Sequence, residues 1–90
     1  MTNLSGGRNA IQLGKASSAK NSALITYYHN SDGSTSNRLG LQFYGVEDIL
    51  NIMASGKVGI GTIVPNYTLD VVGNFSVSTG AVINKTTTTN

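Results

Sequence analysis

The chain contains neither cysteine nor tryptophan, and only 11% of its 90 residues carry a charge. Without cysteine it can form neither a disulfide-stapled scaffold nor a cysteine-ligated zinc site. No apolar run approaches the ~18 residues of a membrane-spanning helix. Six Lys and Arg against four Asp and Glu give a net charge of +2, which is too small and too scattered for a nucleic-acid-binding face. We therefore expect no nucleic-acid partner and no membrane insertion.

Large apolar residues are also scarce. Gly, Ser, Thr and Asn make up almost half of the sequence, and glycine loses more conformational entropy on folding than any other residue. A domain of this size buries only a modest share of its unfolded surface. Because neither a disulfide nor an evident metal site adds stability, oligomerisation is the expected way to bury more area.

Short strand signals recur between clusters of turn residues, whereas helical periodicity is absent. Strands are predicted at residues 10–13, 23–29, 38–44, 49–53, 57–61, 67–72 and 75–79. The polar segment 30–37 joins the second and third of these strands as a β-hairpin. Segment 47–53 could instead form two helical turns, but its length and flanking glycines favour a strand. The predicted fold class is therefore all-β, with short antiparallel strands.

The two halves of the chain differ in composition and in the length of their predicted strands. We predict a lead-in at 1–9, a globular, sandwich-like β module at 10–56, a narrow β-shaft at 57–79 and a low-complexity tail at 80–90. The shaft has too few bulky residues for a core of its own, and a single hairpin is marginal in water. Its apolar side chains must bury against the first half or against identical chains.

A spaced pattern runs through the predicted shaft: GIGT at 59–62, Pro65, Tyr67, LDV at 69–71 and Gly73. It resembles the GIGT-x-x-P-x-Y-x-LDV-x-G repeat of bacteriophage tail fibres and tailspikes and of fibre-like proteins of other large viruses. The strong match covers residues 56–74, about a fifth of the chain, and residues 63–64 depart from the polar residues common there. The resemblance implies an elongated homotrimer on the outside of a virion that serves host attachment.

The glycines of this motif suggest how three chains could pack. Glycine at alternate strand positions lets another backbone approach closely, so three copies could meet on that face and bury valine and isoleucine on the other. Asp70 is expected to face turn amides or a lysine of a neighbouring chain. A monomeric sandwich with glycine bulges is the alternative. The predicted trimer core comprises Val58, Gly59, Ile60, Gly61, Leu69, Val71, Phe75 and Val77.

A second hypothesis is a head that binds a host surface glycan or protein through loop 30–37. Its candidate receptor contacts are Tyr28, His29, Asp32 and Tyr44, although ordinary cross-strand pairing would also account for the tyrosines. A third hypothesis is a polysaccharide-degrading spike, which needs two carboxylates facing one sugar. Glu47 and Asp48 are adjacent, so on a strand they would point to opposite faces. The sequence predicts no catalytic residue, no cofactor and no metal, hence a non-enzymatic structural fibre module.

Overall fold

The computed structural model describes residues 2–4 and 7–83, so the predicted tail beyond residue 83 lies outside the described residues. These residues form strands and no helix, which confirms the all-β prediction and the strand interpretation of 47–53. The strands are β1 (Thr2–Leu4), β2 (Arg8–Gly14), β3 (Ser22–Tyr28), β4 (Arg38–Phe43), β5 (Val46–Met53), β6 (Val58–Ile60) and β7 (Leu69–Val71).

All seven strands belong to one mixed sheet in the order of the sequence. Each strand from β2 to β6 pairs antiparallel with the one before it, whereas β7 runs parallel to β6. The parallel pairing arises because loop 61–68, which contains Pro65, carries the chain back along the sheet. Within the described residues no second sheet faces the first one, and β5 pairs with β6 across the predicted 56/57 boundary.

Most strand predictions agree with the structure to within a few residues. The hairpin of β3 and β4 is antiparallel, as expected, with Ile25 opposite Leu41 and Tyr27 opposite Leu39. The prediction of a strand at 75–79 is wrong. Residues 74–79 adopt no strand in the structure, because no neighbouring strand takes up their backbone hydrogen bonds. The short strand β1 lies inside the predicted lead-in and has no clear sequence signal.

A bulge interrupts the pairing of β4 with β5. Leu41 lies opposite Leu50 and Phe43 opposite Val46, so β5 holds extra residues at this point. Asp48, at this irregular position, adopts a left-handed backbone conformation with φ 59°, which aspartate tolerates better than most residues. Beyond the bulge, Ile49 and Leu50 line a surface depression together with residues of β3 and β4.

The buried residues of the sheet are mostly polar. Leu24 and Met53 are the only hydrophobic side chains that are buried among the described residues. The buried polar residues are Ser22, Thr26, Asn37, Gln42 and Asn51. Two loops, residues 15–21 and 61–68, lie over this face of the sheet, where Gln12 donates to Ser17 at 2.9 Å and Asn51 donates to the Thr62 carbonyl at 3.0 Å.

Candidate functional site

One face of the sheet, here called the apolar face, is formed by side chains that alternate with the buried polar ones. The strand register places them together across β2 to β7. Asn9 and Tyr27 supply its only polar side-chain atoms among these strands, and it carries no charge. Its members are Asn9, Ile11, Leu13, Ala23, Ile25, Tyr27, Leu39, Leu41, Phe43, Val46, Leu50, Ile52, Val58, Ile60, Leu69 and Val71.

The apolar face is open to solvent in the single chain. Its most exposed large side chains range from Leu39, at 36%, to Leu13, at 58%, whereas Val46, Leu50, Val58 and Val71 are half-buried. At ~4.8 Å between strands and ~3.3 Å per residue, the six strands β2 to β7 span no more than roughly 600 Å². That is the upper end of the apolar patches that monomeric proteins expose, and patches of this size are often functional.

A depression of about 310 Å³ lies in the apolar face over β3, β4 and β5. Its lining includes Ala23, Ile25, Leu41, Phe43, Ile49 and Leu50. It reaches Ile49 and Leu50, which directly follow the irregular position at Asp48. The depression could receive a bulky apolar side chain without desolvating any charge.

The opposite face, here called the polar face, is held together by its own side chains. The guanidinium carbon of Arg38 lies 3.8 Å from the centre of the Tyr28 ring, in cation–π contact. Arg38 donates to Asn51 and to Asp48, both at 3.2 Å. Tyr28 and Gln42 exchange hydrogen bonds at 2.9 and 3.1 Å. These bonds satisfy side chains that would otherwise be costly to bury.

The structure gives the predicted shaft residues two different environments. Val58 and Ile60 lie on the apolar face beside Leu69 and Val71, as the alternation predicts. Gly59 faces the other way and is buried against its own chain, because a Cβ there would collide with the Thr62 carbonyl. The close backbone approach expected at Gly59 is therefore made by loop 61–68.

Two further motif residues hold the turn after β6. Gly61 lies just beyond the strand at φ 79°, and a Cβ there would come within 3.0 Å of the Val72 carbonyl oxygen. Asp70 accepts a hydrogen bond from the Asn66 backbone N–H at 3.0 Å. This confirms the expectation that Asp70 faces turn amides.

The remaining predicted core residues lie outside the sheet. Phe75 is 72% exposed and Val77 is 43% exposed, in the extended segment that follows β7. The segment from 72 to 83 contains no charged residue. Phe75 and Val77 alternate with Asn74, Ser76 and Ser78, which is the pattern of a strand with one apolar side.

The four candidate receptor contacts separate into three environments. Tyr28 belongs to the polar face, where it is packed under Arg38. His29 lies at the end of β3 with Asp32, and their side chains are 3.0 Å apart. Tyr44 lies in the turn after β4, at the other end of the hairpin, where its backbone N–H donates to Ser22. Only His29 and Asp32 are brought together.

A chain of hydrogen bonds links this pair to the apolar face. Nδ1 of His29 lies 3.0 Å from the Tyr27 hydroxyl, and Nε2 lies 3.0 Å from Asp32 Oδ1. A carboxylate only accepts, so Nε2 carries the donated proton, and in the neutral ring Nδ1 accepts from Tyr27. The Asp32 side chain is fully exposed, which leaves it open to an outside ligand.

Loop 30–37 is ordered from within by Asn37. The Asn37 side-chain oxygen accepts from the backbone N–H groups of Asn30 and Ser31, at 2.6 and 3.3 Å. Its amide donates to the Ser31 carbonyl at 2.9 Å. Asn37, Asn51 and Asp48 were not predicted as important residues. The one available signal was Asn51, a polar residue inside the apolar run 49–53.

No protein-family model matches the chain, and neither does any curated protein. Within the described residues no helix is long and apolar enough to cross a membrane. The same part of the chain brings together no three His, Cys, Asp or Glu side chains in a geometry that could hold a metal ion.

Proposed function

We propose that this chain is a non-enzymatic structural module of a homotrimeric viral fibre or tailspike, located on the outside of the virion and contributing to host attachment. The observation that carries the proposal is the uncovered apolar face, which spans both predicted modules. Burying apolar surface is worth about 25 cal/mol per Å², so association of copies through this face is strongly favoured. The motif at 56–74 supports the fibre assignment, since its strand residues Val58, Ile60, Leu69 and Val71 all lie on this face.

The mechanical role follows from which surfaces are polar. If the apolar faces of three copies are covered inside one assembly, each copy turns its loops 15–21 and 61–68 and its hydroxyl-rich surface outward. Such an assembly is held by a shared apolar interior and stays soluble with few charges. It would support a receptor-binding part at a distance from the virion.

Light scattering coupled to size-exclusion chromatography tests the proposal directly. We expect the purified chain at micromolar concentration to have three times the mass of one chain. Leu41→Asp, in the middle of the apolar face, should reduce that mass to one chain. Val64→Asp is the matched control, because Val64 is 73% exposed in loop 61–68, on the other side of the sheet. A stable, folded wild-type monomer would overturn the proposal.

A second function, recognition of a host surface glycan or protein, is favoured by the internal order of loop 30–37. A polar loop fixed by Asn37 holds His29 and Asp32 in one arrangement, so binding would cost little ordering entropy. Binding to host surface material should be lost on Asp32→Ala and kept on Ser36→Ala, since both side chains are exposed. Equal binding by the two variants would exclude Asp32 as a contact.

A further inference from the structure

Among the apolar surfaces that the described chain leaves without cover are the apolar face and the segment 72–79, here called the C-terminal arm. The arm leaves the edge strand β7 and lies in no strand. Its largest side chain, Phe75, is 72% exposed, so the arm packs on neither face of its own sheet at this point. Neither surface carries a charge, so bringing them together would bury no charged group.

The sizes of the two surfaces favour their combination. The apolar face offers roughly 600 Å² in projection, whereas a stable protein interface takes about 800 Å² from each partner. A buried aromatic side chain adds ~150–250 Å². In a ring, each copy gives its face to one neighbour and its arm to the other, so the area that one copy buries over both contacts comes close to that value.

Symmetry decides between the arm and a second apolar face as the occupant. Two apolar faces packed on each other use the same patch twice, which generates a two-fold dimer. A three-fold ring instead needs two different patches that meet head to tail. An arm on one copy and a depression on the next are two different patches, and each copy has one of each.

We propose that the C-terminal arm of each copy lies on the apolar face of the next copy, with Phe75 in the depression between Leu41 and Ile49. This inference rests on the proposed homotrimer and specifies its contact. Val77 follows on the same side of the arm, and Ser76 faces away from the depression. The arm thereby joins neighbouring copies in one direction around the ring.

Disulfide trapping tests this contact, because the native chain contains no cysteine. In the Leu41→Cys/Phe75→Cys variant, mild oxidation should give covalently linked chains of two and three on a non-reducing gel. Disulfides form only where the Cα atoms come within ~7 Å of each other. Leu41→Cys/Ser76→Cys is the matched control and should link much less, since Ser76 faces the opposite way along the arm.

The outcomes separate this inference from the proposed function. A wild-type mass of three chains without intermolecular links at positions 41 and 75 leaves the homotrimer standing and overturns the arm contact. Links confined to single chains also overturn it, because the arm then folds back on its own sheet. A wild-type monomer removes both proposals.

A charge scan of the arm gives a second measurement that needs no oxidation. Phe75→Asp should reduce the mass from three chains to one, whereas Ser76→Asp should leave it at three. Both changes add the same charge one residue apart and lie outside the sheet, so neither removes a strand contact. A trimer that tolerates Phe75→Asp would contradict the inference.

Discussion

Replacing Gly59 by alanine should destabilise the sheet well beyond the usual cost of a surface substitution. Gly59 lies in β6 with ordinary strand geometry, so the effect comes from space and not from the backbone torsion. A Cβ at this position would collide with the Thr62 carbonyl oxygen and lie 3.0 Å from Thr62 Cγ2. The first obstacle is main chain, which a side-chain rotation cannot relieve.

The magnitude has two parts. Moving the Thr62 peptide is a case of overpacking, which costs about 1–3 kcal/mol. The same movement breaks the bond from Asn51 to the Thr62 carbonyl, and Asn51 is fully buried. A buried amide left without its acceptor costs about 1–3 kcal/mol. The free energy of unfolding should therefore fall by about 2–6 kcal/mol.

Urea denaturation followed by circular dichroism, at one fixed protein concentration, measures this change. With a slope of roughly 1–3 kcal/mol per molar urea, a loss of about 3 kcal/mol lowers the midpoint by at least about 1 M. Gly33→Ala is the control, because Gly33 has φ 74° and no atom within 4 Å of a Cβ there. Gly33→Ala should lower the free energy of unfolding only through the strain of a left-handed backbone torsion, by about 1–2 kcal/mol. A loss at Gly59 no larger than at Gly33 would refute the reasoning.

Substitutions at three further positions test the side chains that shape the sheet and its loop. Asp48→Asn should change the free energy of unfolding by less than about 1 kcal/mol, because the partly exposed ion pair with Arg38 is weak. Asp48→Val should destabilise the protein more, because a β-branched residue resists positive φ. Similar losses of stability for the two variants in thermal melts would contradict this. Tyr28→Phe should lower the free energy of unfolding by about 1–2 kcal/mol in the same melts, since buried Gln42 loses its hydrogen-bond partner. An unchanged melting temperature would argue against the bond between the Tyr28 hydroxyl and Gln42. Asn37→Ala should speed backbone amide hydrogen exchange at Asn30 and Ser31. Protection equal to that of the wild type would show that the loop stays ordered without the Asn37 side chain.

Local alternation of side chains was sufficient to predict the central strands. In β4, Leu39, Leu41 and Phe43 alternate with Gly40 and Gln42, and the structure places them on opposite faces. Turn residues at 30–37 were sufficient to predict the hairpin. Both signals act over a few residues, so they need no knowledge of distant parts of the chain.

The candidate site was only partly predictable for the same reason. The alternation of side chains predicts the face of the sheet on which Ile60 and Leu69 lie. What packs against Gly59, however, depends on where loop 61–68 folds. The bulge at Asp48 has no local signature, because any polar residue could occupy a regular strand there. The predicted strand at Phe75 failed since a strand exists only where another one accepts its backbone hydrogen bonds.

The sequence by itself determined that this protein is built from β-strands with one apolar and one polar side, because the two-residue period of a strand is a property of the local chain. The tertiary structure alone decided which side is covered. Loops 15–21 and 61–68 both fold over the polar face, where they supply hydrogen-bond partners to Gln12 and Asn51. The apolar face stays open because covering it takes a surface that the sheet of one copy does not supply.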